Sequence, residues 1–206
     1  MDTCKITGLK QGVKNANRVN IFIDGKFSFS LDLTQVVDYK LKIGKELSSE
    51  ELAELKRASE FGKLYQRTLE WVLMRPRSEK ETRDYLSQKL RESSSDEKRK
   101  LAQMVIDKIV SRGYVDDLAF AKYYVENRFV KKGISHKRLV MELMKKGVKK
   151  DIVEEVLGAR NDEEEILKMI AKKRHKYDDD KLIQYLCRQG FDYQLARNLV
   201  SDYGKD

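Results

Sequence analysis

Proline is almost missing: Pro76 is the single one in 206 residues. Helix interiors exclude proline, so most of this chain is free to be helical. Cysteine is nearly as scarce. Cys4 and Cys187 lie far apart and form no CxxC pair. They read as free thiols of a reducing compartment, and a cytoplasmic location is expected. His136 and His175 are the only histidines, and neither falls in an HxxxH or HExxH spacing. That argues against an imidazole-based metal centre. There is no P-loop, GxGxxG or GxSxG pattern. No acid, base and nucleophile can be assembled, so the chain is expected to be no enzyme and to need no cofactor or metal. No apolar run approaches the ~18 residues of a membrane span. The opening MDTCKITGLK lacks the apolar core of a secretory signal. No membrane partner is expected.

What is abundant is charge. Charged residues make up 37% of the chain, hydrophobic ones 40%, and the formal net charge is +9. A basic surplus favours an anionic partner, most simply nucleic acid. Residues 1–57 hold ten Lys/Arg against eight Asp/Glu, so most of the surplus lies further on. Clusters stand at Arg75 and Arg77, Lys131 and Lys132, Lys145 and Lys146, Lys149 and Lys150, and Lys172, Lys173 and Arg174. Several fall just before a second helix of the repeats described below. Repeated in this way they could line a phosphate backbone or an acidic protein surface. For any one lysine, a solvated helix face explains it as well. The nearby aromatics Trp71, Tyr85, Tyr123, Tyr124 and Phe129 could stack on bases, but their helical spacing suits a core better.

The segment VNIFIDGKFSFSL alternates apolar and polar residues around Asp24-Gly25. An Asp-Gly pair accepts positive φ at both turn positions, so a hairpin is expected. The alternation puts Phe27, Phe29 and Leu31 on one face. ITGLK could add a third strand, and a short helix over Leu33 to Tyr39 could cover the sheet. Ser48 to Glu51 forms a capping box, and beyond it almost everything is spaced as helix.

The later chain resembles itself. SEKETRDYLSQKL from Ser78, SHKRLVMELMKKGV from Ser135 and DDDKLIQYLCRQGF from Asp178 align Leu86, Leu143 and Leu186. Gly147 aligns with Gly190, Leu139 with Leu182, Ile152 with Leu195 and Val156 with Leu199. The extra length of the first copy falls in RESSSDEKRK, which reads as a loop. Each copy holds three apolar stripes at helical spacing. The expected fold is therefore mainly α: a tandem, elongated array of three three-helix repeats after a small β-hairpin segment. The boundaries are 1–57, 58–110, 111–158 and 159–206.

GYVDDLAFA, from Gly113, poses the enzyme question most sharply. Gly113 sits where a left-handed helix end belongs. Asp116 fits as N-cap, Asp117 as a first-turn acid facing the helix dipole, and Val115 as a staple to Phe120. No chemistry is required of either acid.

RPRSEKETRDYLSQKL, VIDKIVSRGYVDDLAFAKYYVENR, KGISHKRLVMELMKKGV and YLCRQGF together resemble the RecX family, regulators of the RecA recombinase. The match runs over nearly the whole chain, hairpin included. Its departures are the insert at 91–100 and a weaker opening of the third copy. The resemblance implies a non-enzymatic protein that binds the RecA filament on single-stranded DNA along its groove. It implies lowered ATP hydrolysis, strand exchange and co-protease activity. A monomer is expected, with at most a weak, salt-dependent contact to single-stranded DNA. By position alone, Arg75, Arg77, Lys131, Lys132, Lys172, Lys173 and Arg174 are the expected contact residues. Ser78, Gly113, Asp116, Asp117, Phe120, Gly147 and Gly190 are the expected structural motif. The competing readings are a helical DNA-binding transcription regulator and a protein scaffold with merely solubilising charge.

Overall fold

The computed structural model describes residues 3–13, 15–90, 95–158 and 160–203, with the side chains of 128–132 outside that description. In chain order come β1 (Thr3–Gln11), β2 (Arg18–Ile23), β3 (Lys26–Asp32), α1 (Leu33–Asp38), β4 (Glu46–Ser48) and α2 (Ser49–Leu73). Then follow α3 (Glu79–Lys89), α4 (Asp96–Ser111), α5 (Asp117–Lys132), α6 (His136–Lys145) and α7 (Lys150–Leu157). The last are α8 (Asp162–Lys173), α9 (Asp179–Arg188) and α10 (Tyr193–Asp202). The chain is thus mainly helical with a small N-terminal antiparallel sheet. It divides into two compact units: Met1–Trp71 with Ser93–Asp107, and Val72–Glu92 with Lys108–Asp206.

In the first unit the sheet order is β3-β2-β1-β4. Asp24 and Gly25 both take positive φ, as the turn requires. Ile6, Val19, Ile21, Phe29 and Leu31 form the inner face, and Leu41, Leu47 and Leu55 close over it. Phe27 corrects the sequence alternation. Ile21 pairs with Phe29 but Phe22 pairs with Phe27, so Ser28 is an extra residue. That bulge turns Phe27 onto the outer face, where it is 56% exposed. Strand β4 was not legible either. It exists because Leu47 pairs with Cys4 and drops into the core.

The capping box forms as expected: the Ser48 amide donates to Glu51 (2.8 Å) and the Glu51 amide to the Ser48 hydroxyl (3.2 Å). Ser59 on α2 donates to the Ser30 carbonyl (2.7 Å), holding the helix on the edge of β3. Of the expected loop RESSSDEKRK, residues 91–94 lie outside the described residues. From Asp96 on it is helix, because the Ser95 carbonyl already accepts from Lys98 and Arg99.

In the second unit two helix triplets each enclose a separate core. Phe120, Ala121, Ile134, Leu139, Leu143, Val148, Val153 and Leu157 form one, from α5 to α7. Ile166, Met169, Ile170, Leu182, Ile183, Leu186, Phe191, Ala196 and Val200 form the other, from α8 to α10. The aligned leucines, 143 and 186, are both fully buried. Gly147 (φ 85°) and Gly190 (φ 92°) end α6 and α9 in the left-handed region. The amides of Val148 and Phe191 then return to the carbonyls of Leu143 and Leu186, so each apolar side chain enters its core. Among the described residues no helix is long and apolar enough to cross a membrane.

Candidate functional site

Asp116 is the N-cap of α5, accepting from the amides of Leu118 (2.8 Å) and Ala119 (3.2 Å). Its neighbour does something the sequence did not reveal. The Asp117 carboxylate accepts from the Glu79 amide at 2.8 Å, capping the start of α3 rather than its own helix. The same arrangement recurs one copy later. Asp162, first residue of α8, accepts from the His136 amide at the start of α6 (2.8 Å). A cap followed by aspartate, Asp116-Asp117 and Asn161-Asp162, is the signal that marks both. Burial pushes the Asp117 carboxyl above its ordinary value, the charges of Glu79 and Asp116 add to this, and the Glu79 amide opposes it.

These carboxylates belong to two seams built alike. At the first, the N-cap Ser78 is fully buried and its hydroxyl donates to the carbonyl of Lys146, at the end of α6 (2.7 Å). The Lys146 ammonium returns to Glu81 (2.7 Å), whose other oxygen meets the Arg75 guanidinium (3.1 Å). At the second seam, the amide of the N-cap Ser135 donates to the carbonyl of Gln189, at the end of α9 (3.2 Å). Arg138, at the position of Glu81, donates to the Arg188 carbonyl, and Arg160 donates to the Ile134 carbonyl (3.0 Å). The start of each second helix therefore meets the end of the next copy's second helix. The unsatisfied amides of one end face the unsatisfied carbonyls of the other, which also aligns their dipoles.

The glycines fit this geometry. A Cβ on Gly147 would come within 2.5 Å of Lys80 Cβ, and one on Gly190 within 2.6 Å of Ser135 Oγ. Gly113 (φ 70°) has open space around it and needs only the backbone freedom.

The expected contact residues divide in two. Arg75 is spoken for by Glu81, and Arg77, half-buried in the connection before α3, has its guanidinium pKa lowered by burial and by the charge of Arg75 beside it. Arg174 is equally occupied: it donates to the Val200 carbonyl (2.9 Å), pairs with Asp179 (3.3 Å) and lies over the Tyr203 ring. Lys173 lies over Tyr185, 4.9 Å from the ring centre. Lys172 is exposed in the last turn of α8. Lys131 and Lys132 end α5, with side chains outside the described ones. Arg75 and Arg174 thus take different partners on different helix sets. The residues that sequence reasoning missed are Glu81, Arg138, Arg160 and Asp162, and Lys146, read there as part of a charge cluster, is held by Glu81.

Glu81 gives the seam a pH dependence. Its side chain is 13% exposed. Burial alone would raise its pKa, but the hydrogen bonds and charges of Lys146 and Arg75 hold it below its ordinary 4.5. A carboxylate depressed in the folded state stabilises the fold fully above the unfolded value and stops doing so as pH falls through the folded one. Stability should therefore decline as pH drops below 4.5. Glu81→Gln should flatten that decline in thermal melts and lower stability at neutral pH. An identical pH profile for the variant would refute the assignment.

Comparison with known proteins adds to this geometry. A family model described as the regulatory protein RecX N-terminal domain matches residues 4–48. A second, described as the RecX second three-helix domain, matches residues 116–157, which run from the Asp116 cap to the end of α7. A regulatory protein RecX from Listeria monocytogenes serotype 4b (strain F2365) is 31% identical over 204 residues, covering 94% of this chain and 73% of that protein. One from Bacillus velezensis is 34% identical over 199 residues, covering 93% and 71%. A crystal structure of regulatory protein RecX matches with a TM-score of 0.70 at 22% identity, over 97% of this chain and 99% of that one. That of RecX from Lactobacillus salivarius matches with a TM-score of 0.51 at 23% identity, over 69% and 95%. At those identities the two structures speak for the fold alone.

Proposed function

The chain belongs to the RecX family of regulatory proteins, and from that premise we propose that it restrains the RecA recombinase. It does so by binding the RecA filament on single-stranded DNA along its groove. Filament binding lowers ATP hydrolysis, strand exchange and co-protease activity. The protein acts as a cytoplasmic monomer, without catalysis or cofactor, through three consecutive copies, 58–110, 111–158 and 159–206.

The observation that carries this reading is the pair of like seams. The two seams share one junction, an aspartate that opens the next copy's first helix and caps the preceding copy's second helix, and so repeat a similar surface along the chain. A repeated surface suits a partner that itself repeats, such as a protein filament. Linked contacts then reinforce one another through effective concentration. Positive charge peaks in the middle copy, where residues 111–158 hold eleven Lys/Arg against seven Asp/Glu. That surplus speeds encounter with an anionic assembly and makes it sensitive to salt.

The test is RecA-catalysed ATP hydrolysis on single-stranded DNA as the protein is titrated in. Hydrolysis should fall, and less so at high salt. A chain ending at residue 158 should inhibit at least about tenfold more weakly, because one linked contact is gone. Circular dichroism should show its remaining helices formed. Equal inhibition by the shortened chain would exclude the multi-site mode, and no inhibition by the full chain would exclude the function.

A further inference from the structure

We propose that the outer face of the N-terminal sheet binds single-stranded nucleic acid, with a base stacked on Phe27 and a phosphate on Lys10. The site lies outside the basic clusters of the helical copies. It gives the single-stranded DNA contact of the proposed function a place, but it requires no recombinase.

Phe27 is the first observation. The bulge at Ser28 exists at the one point where it moves a phenylalanine out of register with Phe29 and Leu31. The outcome forfeits burial of a phenylalanine and leaves its ring 56% exposed. Bulges commonly re-aim a side chain in this way. Phe22 has a structural role that Phe27 lacks. It crosses over Gly8, where a Cβ would stand 3.5 Å away, and meets the Phe27 ring edge-on at 6.0 Å. Phe22 thus steadies Phe27.

Charge is the second observation. Lys10 is exposed on this face, and its ammonium stands 5.2 Å from the Phe22 ring centre; Lys26 pairs with Ile23 and so lies on the opposite face from Phe27. Lys5 is exposed further along β1. The acids nearby are placed at the margins. Asp24 accepts from the Lys5 amide (3.2 Å), and Glu46 lies opposite Lys5 in the β1–β4 pairing. The ring therefore shares its face of the sheet with Lys10. An open aromatic ring sharing a sheet face with a lysine suits unpaired bases, which offer a π-face and a phosphate together. Duplex DNA hides its bases, and an acidic polypeptide would use the lysine but not the ring.

The experiment titrates the full chain, with no recombinase present, into a dye-labelled oligothymidylate at low salt. Phe27→Ala should weaken binding about tenfold, and Phe27→Trp should hold or tighten it, since base stacking depends on the aromatic face. Lys10→Ala should reduce the slope of log affinity against log salt by roughly 0.7, the value per phosphate for single strands. Unchanged melting of each variant shows that the fold is intact, as the exposure of these side chains predicts. Equal affinity of wild type and Phe27→Ala overturns the proposal. So does tighter binding of polyglutamate than of the oligonucleotide, which would assign the face to an acidic protein. Because recombinase is left out, failure here leaves the RecA assay untouched.

Discussion

Gly190→Ala is expected to destabilise the second unit by roughly 2–4 kcal/mol, the sum of a left-handed backbone penalty and an overpacked contact. The penalty arises at φ 92°, and the contact is the added Cβ lying 2.6 Å from Ser135 Oγ and 3.0 Å from Arg138 Cβ. Neither neighbour can simply move away. The Ser135 oxygen caps the Arg138 amide (3.3 Å), and the Arg138 guanidinium holds the Arg188 carbonyl. Gly113→Ala supplies the control. Its φ is 70° and nothing stands within 4 Å of the new Cβ, so only the backbone penalty of about 1–2 kcal/mol applies. The excess at Gly190 over Gly113 measures how tightly the seam is closed. Urea denaturation of both variants gives the two numbers. If the two losses are equal, the seam is loose and the close approach at Ser135 costs nothing.

Hairpin, caps and copies were readable because each depends on neighbours in sequence. Asp24-Gly25 needs only its own φ angles, Ser48 to Glu51 only one helical turn, and Leu143 over Leu186 only a repeat. What escaped depends on distant partners. Phe27 leaves the inner face because Phe22, across the hairpin, selects it as partner and strands Ser28. Asp117 satisfies Glu79, 38 residues earlier. Arg75 and Arg174 look like free cations in the sequence. They are held by Glu81 and by Asp179 with the Val200 carbonyl, on elements whose proximity only the fold creates. Charge clusters are thus a poor guide to availability here.

The repeated segments differ at their second-helix caps, for a chemical reason. Serine stands at both buried N-caps, and at Ser78 the hydroxyl both accepts from its own helix and donates across the seam. The third copy has Asp178 there, and a carboxylate can only accept. It takes the Lys181 amide (2.8 Å) and also the Lys181 ammonium (2.7 Å), so the third position after the cap folds back on itself. Glu81 and Arg138, at that same position, both reach outward instead. Likewise the segment after α3 reads Lys89-Leu90, with Leu90 rather than glycine following the helix. At α9 the cap thus satisfies its own helix instead of reaching across a seam.

Leu143→Ala and Leu186→Ala are each expected to cost about 2–5 kcal/mol, as large deletions in fully buried sites do, yet their consequences should spread differently. The two leucines occupy one place in the repeat and are equally buried. They sit in cores that share no residue. In the double variant the losses should therefore add to within about 0.5 kcal/mol. The middle triplet, however, takes part in both seams. Leu143 lies one turn before Lys146, which Ser78 and Glu81 hold, while Ser135 and His136 on the same helix hold Gln189 and Asp162. Loosening it should lower amide protection in α3 and in α8 to α10 as well as locally. Loosening the third triplet should spare α3, since that triplet takes part in one seam only. Hydrogen exchange resolved by segment distinguishes the two. If Leu186→Ala exposes α3 as fully as Leu143→Ala does, the second unit unfolds as one body and the seams transmit everything.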